Sequence, residues 1–157
     1  MLGNLGHYSD ILEGRKAHAF SGAGAAILTL AMVAYCDESD FIYKEQDALC
    51  FGNWVEHLYN SAGHGWGCMG DYDPIPSGTA LMLFRHEFIP SIVRSYIDMG
   101  PENSNQRMVE HKYSEILSNR YSMGYDKRRP VNFNDETFWI QQPNKSDIEE
   151  LKKRKLL

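Results

Sequence analysis

The sequence is poor in the residues that define a cross-linked, catalytic or nucleic-acid-binding protein. Its three cysteines, Cys36, Cys50 and Cys68, are too few and too widely spaced for a disulfide framework, which favours buried reduced thiols over one bridged pair. No serine or cysteine lies in a recognisable nucleophile motif. The formal net charge of −5 excludes a general nucleic-acid binder, because such a protein needs a basic surface.

The chain also lacks charge over one long stretch, residues 17–36, where twenty consecutive positions contain no Asp, Glu, Lys or Arg. A helix of this length would span about 30 Å, which is close to the hydrocarbon thickness of a bilayer. Arg15 and Lys16 precede the stretch, and Asp37 and Glu38 follow it. The pattern predicts a transmembrane helix, with the buried central helix of a soluble bundle as the alternative.

Small residues within this stretch are typical of a helix that packs against another helix. Gly22 and Ala26 are four positions apart and would let two backbones approach closely, so we predict that they contact a partner. Basic residues are more frequent before the stretch than after it. This bias places the short N-terminal segment, residues 1–16, on the matrix or cytoplasmic side of a membrane.

The remaining chain is predicted to be mainly helical. Apolar residues recur at helical spacing over 41–59, 77–99 and about 104–122, and each segment is interpreted as an amphipathic helix. A glycine- and proline-rich stretch at 60–78 is predicted to be a loop. The predicted fold is therefore all-α, with a transmembrane helix at 17–36, a helical region at 37–124 and an extended C-terminal arm at 125–157.

The C-terminal arm carries Phe133, Phe138 and Trp139 among prolines and polar residues. This composition is typical of an arm that lays aromatic side chains on a neighbouring protein, and we predict that all three contact a partner. A segment packed on its own domain would have the same composition. A short terminal helix is predicted to begin with a capping box at Ser146 and Glu149.

Candidate chemistry is concentrated in and near the glycine-rich stretch. His57, His64 and Cys68 are candidate zinc ligands, although their spacing matches no compact zinc motif. Residues 65–70 match the pattern G-x-G-x-x-G, but the carboxylates that follow from Asp71 occupy the place where a phosphate would meet a helix N-terminus. We therefore assign no catalytic residue, no cofactor and no metal, and the chain is not predicted to be an enzyme.

The arrangement of the whole chain resembles that of the single-span accessory subunits of mitochondrial respiratory complexes. These proteins have a short N-terminus, one span rich in small residues and a helical portion that contacts neighbouring subunits. The resemblance implies a non-catalytic structural or assembly subunit of a membrane complex of the respiratory electron-transport chain, located in the mitochondrial inner membrane. It implies other subunits and the lipid bilayer as partners, and we identify no nucleic acid and no small-molecule substrate.

Two other classes of function stay open at this stage. One is a soluble all-α protein in which the His/Cys loop forms a ligand or metal site, and the other is a small membrane-active protein such as a pore-former. The surroundings of Ile27 and Leu28 distinguish the first of these from an anchored subunit. In the soluble protein they are this chain's own side chains, whereas in the anchored subunit they are lipid and foreign helices.

Overall fold

The structure, a computed structural model, describes residues 22–72, 75–100, 109–125 and 131–157. These ranges contain five α-helices and seven β-strands, so the fold is mixed α/β and the all-α prediction is wrong. The helices are α1 Gly22–Cys36, α2 Trp54–Ala62, α3 Ile89–Asp98, α4 Val109–Ile116 and α5 Lys145–Lys153. The strands are β1 Phe41–Lys44, β2 Ala48–Phe51, β3 Gly67–Tyr72, β4 Ile75–Phe84, β5 Asn119–Tyr121, β6 Gly124–Tyr125 and β7 Phe138–Gln141, and a 3₁₀ turn at His86–Phe88 leads into α3.

The strands form two sheets. In the first sheet the order is β1-β4-β3-β5, where β4 runs antiparallel to β1 and β3, and β5 runs parallel to β3. In the second sheet the order is β2-β7-β6, with β2 antiparallel and β6 parallel to β7. Both sheets therefore join segments that are far apart in the chain.

Strand β4 explains why the sequence pattern predicted a helix over 77–99. Successive side chains of a strand point to opposite faces, and both faces of β4 are covered. Leu81 and Leu83 are buried on one face, and Met82 and Phe84 are buried on the other. A strand buried on both faces reads as a continuous apolar run, which periodicity alone does not distinguish from a helix.

The first sheet lies between two layers of side chains. On one face, α1, α3 and α4 pack through residues that include Ile27, Ile92 and Tyr113. On the other face, α2 contributes Leu58 and the second sheet contributes Trp139. The far side of the second sheet is covered by α5, whose Leu151 packs against Phe138, Ile140 and Tyr125.

Helix α1 corresponds to most of the predicted transmembrane segment, and its surroundings contradict that prediction. The helix has 15 residues, equivalent to a length of about 22 Å, and residues 17–21 lie outside the described ranges. Ile27 is 1% exposed in the core formed by this chain's own sheet and helices, and Leu28 packs against the same core. Within the part of the chain that the structure describes, no helix is long and apolar enough to span a bilayer. The predictions of a membrane span and of a location in the mitochondrial inner membrane are therefore wrong.

Other predicted elements differ in type or extent. The segment 41–59 forms two short strands before α2, and the stretch 60–78 contains the end of α2, the whole of β3 and the start of β4 rather than a loop. The segment 104–122 contains α4 and then β5. The short terminal helix is present as α5, but its capping box pairs Asn144 with Asp147.

Candidate functional site

Helix α1 exposes several large apolar side chains to solvent beside the residues that pack in the core. Ile27 and Ala31 are buried, whereas the side chains of the intervening and following turns are open: Leu30 is 42% exposed, Met32 37%, Val33 53% and Tyr35 38%. We call these four exposed residues the α1 surface. Contiguous exposed apolar patches are typical of interaction sites, and four large apolar side chains within two turns of one helix make α1 the candidate for such a site.

The α1 surface is also uncharged. Helix α1 contains no Asp, Glu, Lys or Arg, so its solvent-facing side lacks the charged residues that cover the outer face of an ordinary amphipathic helix. Thr29 on α1 is exposed too, and its Oγ1 donates a hydrogen bond to the carbonyl oxygen of Ala25 at 2.8 Å. Because its hydroxyl is bonded within the helix, Thr29 contributes less polarity to solvent than a free hydroxyl would.

A polar cluster fixes the C-terminal end of the α1 surface to the sheet. The Tyr35 ring stacks on His86 with centroids 5.1 Å apart, and a ring nitrogen of His86 lies 3.2 Å from the Tyr35 carbonyl oxygen. The Asp40 carboxylate accepts a hydrogen bond from the His86 backbone N–H at 2.6 Å and pairs with Arg85 at 3.4 Å. Burial, together with the hydrogen bond and charge of Asp40, raises the pKa of Tyr59, over whose ring Arg85 lies. The charged groups of this cluster are therefore engaged in holding the fold.

A second concave feature lies at the junction of three elements. The residues between α2 and β3, the end of α3 and the end of α4 border a cavity of about 370 Å³ that is open to solvent on one side. This volume falls in the range of small-ligand pockets. The side chains that line it are Trp66, Ser95, Met99, Glu115, Ile116 and Ser118.

The position of Trp66 in this cavity is fixed by its neighbours. Its ring stacks on Phe88 with centroids 6.1 Å apart and planes inclined by 18°, and 37% of the residue remains exposed. Its carbonyl oxygen accepts a hydrogen bond from the Arg85 backbone N–H at 2.9 Å. Gly67, which follows, has a φ of +156°, and a Cβ there would lie 1.9 Å from the Leu83 carbonyl oxygen. Only glycine lets β3 begin this close to β4, which holds Trp66 at the cavity wall.

The cavity has one ionisable side chain among the described residues that line it. Glu115 is exposed near the end of α4, and the other lining side chains are aromatic, apolar or hydroxyl groups. The described side chains that line the cavity therefore include one carboxylate and no basic group. Sequence reasoning did not single out Trp66 or Glu115, because residues from 66 to 118 converge here only through the packing of α3 and α4 on the sheet.

The predicted partner-contact residues lie in different environments. Gly22 is the first residue of α1, and Ala26 is half-buried on the same helix. Phe138 and Trp139 are 1% and 0% exposed, so their side chains pack inside this chain. Phe133 contacts Phe138 edge-on, and the Arg154 guanidinium lies 5.5 Å from its ring centroid. Contact of Gly22, Ala26 or Phe133 with a partner stays a prediction.

The candidate zinc ligands are not brought together. His57 and His64 are exposed, whereas Cys68 is buried and its thiol donates a hydrogen bond to the Leu58 carbonyl oxygen at 3.2 Å. Among the described residues, no three His, Cys, Asp or Glu side chains are placed to hold a metal ion. Burial raises the pKa of Cys68 to about 12, which disfavours the thiolate that zinc requires.

The chain was compared with known proteins. No family model matches it, and no curated protein or solved structure matches it.

Proposed function

We propose that this protein is a non-catalytic subunit of a multi-protein assembly and that the α1 surface is where it contacts a neighbouring chain. The observation that carries the proposal is the exposure of four large apolar side chains within six residues of one uncharged helix. Covering such side chains removes apolar area from water, at roughly 25 cal/mol per Å². A partner with an apolar surface of its own is the occupant that this chemistry favours.

The engagement of the polar side chains supports a binding role over a catalytic one. Asp40 and Arg85 are paired with each other, and the Glu45 carboxylate accepts hydrogen bonds from Thr79 at 3.1 Å and Gln141 at 2.6 Å. The Lys112 ammonium donates a hydrogen bond to the Gly100 carbonyl oxygen at 2.6 Å. These groups are engaged in contacts within the fold.

The proposal keeps only part of what the resemblance to respiratory accessory subunits implies. That resemblance depended on a membrane-spanning helix at 17–36, and α1 has its inner face in this chain's own core. Assembly with other chains is retained, because the outer face of the same helix is apolar and open.

Site-specific photo-crosslinking tests the proposal in the cells that produce the protein. A photoreactive residue at Val33, which is 53% exposed on α1, should give one discrete adduct with another protein. The same residue at Val55, which is 39% exposed on α2 across the sheet, is the matched control and should give no such adduct. When Leu30→Asp is combined with the photoreactive residue at position 33, the adduct should disappear, because the aspartate places a charge in the apolar contact.

The outcomes decide the proposal. Identical adducts from positions 33 and 55, or none from position 33, would contradict it. An adduct consisting of two copies of this chain would replace the multi-protein assembly with a homodimer.

A further inference from the structure

We infer that the cavity beside Trp66 binds a small organic cation, an amine that carries an apolar or aromatic group. The site is distinct from the α1 surface, since no α1 residue lines the cavity. Ligand binding in the cavity is therefore a further property of the protein, and it does not depend on the proposed function of the α1 surface. Its volume of about 370 Å³ accommodates a molecule the size of a biogenic amine.

Trp66 supplies the first recognition element. An indole ring has a negative electrostatic face, and tryptophan is the aromatic side chain that attracts a cation most strongly. Stacking on Phe88 supports the ring, and the hydrogen bond from the Arg85 N–H to the Trp66 carbonyl oxygen fixes the main chain that carries it, before a ligand arrives. A ring that is already fixed loses less conformational entropy on binding than a mobile ring, which favours affinity for a small ligand.

Glu115 supplies the second element, the counter-charge. Its carboxylate forms no ion pair with any side chain in the described part of the chain, so its charge is available to a ligand. Lys112 precedes it by one turn on α4, but the Lys112 ammonium is buried with its hydrogen bond to Gly100 and lies 3.9 Å from the Tyr96 ring centroid. That cation is engaged on the inner side of the helix, where the residue is 1% exposed.

The remaining lining defines the rest of the ligand. Met99 and Ile116 offer apolar contact, and the hydroxyls of Ser95 and Ser118 accept hydrogen bonds from an ammonium N–H. Anionic ligands such as phosphates are disfavoured, because they would approach Glu115 in a protein whose net charge is −5. The combination of indole, carboxylate and apolar wall selects a positively charged group attached to an apolar one.

Binding of phenethylamine to the full-length ¹⁵N-labelled chain tests the inference. The chain has three tryptophans, so the indole N–H signal of Trp66 is assigned by comparison with Trp66→Phe. Phenethylamine should shift that signal with a Kd in the range of about 1 mM. The uncharged 2-phenylethanol, of similar shape, should bind about tenfold more weakly, and 3-phenylpropionate should not bind.

Two charge variants provide the matched control. Glu115→Gln should weaken phenethylamine binding about threefold to fivefold, whereas Glu149→Gln, an identical change at an exposed position on α5, should leave the Kd unchanged. Glu115 is exposed, so its substitution is expected to preserve the fold, which the dispersion of the amide spectrum checks. Equal binding of phenethylamine and 2-phenylethanol, equal effects of the two glutamine variants, or no shift of the Trp66 signal would each overturn the inference.

Discussion

Helix α1 and strand β4 are two apolar segments of the same core, and the chain uses them in opposite ways. Strand β4 buries side chains on both faces, with Leu81, Met82, Leu83 and Phe84 all 0% exposed. Helix α1 buries one face and leaves Leu30 and Val33 in solvent. Apolar composition alone therefore does not show whether a segment serves the fold or an interface. The difference lies in whether the chain itself supplies a second layer to cover it.

The largest expected difference between the two regions is in thiol reactivity. Cys36 at the end of α1 is exposed. Cys68 is buried in β3, where it lies opposite Leu83 in the pairing of β3 with β4. Burial raises the pKa of Cys68 to about 12 and that of Cys50 to about 11, so few thiolates form there at pH 8. We expect Cys36 to react with iodoacetamide about a thousandfold faster than Cys68 or more.

Mass spectrometry of the native protein after timed labelling measures this difference. On the timescale at which the wild type is labelled, the native Cys36→Ser variant should take up no label. After unfolding in urea it should take up two labels, one at each of its two cysteines. Rapid labelling of Cys68 in the native state would show that the sheet opens readily, which contradicts a closed core at β3 and β4.

Leucine-to-alanine substitutions give the next largest contrast. Leu83→Ala removes a fully buried side chain from the layer between the two sheets and should lower the free energy of unfolding by about 2 to 5 kcal/mol. Leu30→Ala makes the same chemical change on the α1 surface, where the residue is 42% exposed. It should change the free energy of unfolding by less than about 0.5 kcal/mol. Urea denaturation of the isolated protein measures both values. A similar loss for the two variants would mean that the outer face of α1 is covered by this chain.

The fold could be predicted from the sequence only where local periodicity decides the structure. The helix at 22–36 follows from an uninterrupted run of uncharged residues. The terminal helix at Lys145–Lys153 follows from the polar residues at its start. Strands β1 and β2 have four residues each, which is too short to establish an alternating pattern beside the helical spacing of Phe51, Trp54 and Leu58. The parallel pairing of β3 with β5 depends on contacts between distant segments, which no local pattern reveals.

The candidate site was still harder to predict. The requirement for glycine at position 67 comes from the carbonyl oxygen of Leu83, sixteen residues later, which no local pattern reveals. Trp66 occurs in a stretch that the sequence pattern assigned to a loop, and only the stacking on Phe88 makes it a fixed wall. The apolar character of Leu30 and Val33 was visible in the sequence. Their exposure was not, because it depends on which face of α1 meets the sheet.

The smallest expected effect concerns Glu45, which connects the two sheets at the turn between β1 and β2. Its carboxylate accepts hydrogen bonds from Thr79 of β4 and Gln141 of β7, yet burial raises its pKa, with further increases from the charges of Asp47 and Glu110. The folded protein thus binds a proton here more tightly than the unfolded chain does. The contribution of Glu45 to stability is therefore greatest below the unfolded pKa of about 4.5 and falls as the pH rises through the raised folded value.

Glu45→Gln removes this titration while its amide oxygen still accepts the hydrogen bond from Thr79, and the Gln141 amide can rotate to present its oxygen to the new N–H group. We expect the variant to become more stable relative to wild type as the pH rises from 4 to 7, so that its free energy of unfolding increases relative to the wild-type value. Urea denaturation at several pH values measures the difference, and Glu149→Gln on the exposed side of α5 should show no comparable trend. A difference that is constant with pH would mean that Glu45 titrates alike in the folded and unfolded chains. In that case its contacts with Thr79 and Gln141 would fully offset the loss of hydration on burial between the sheets.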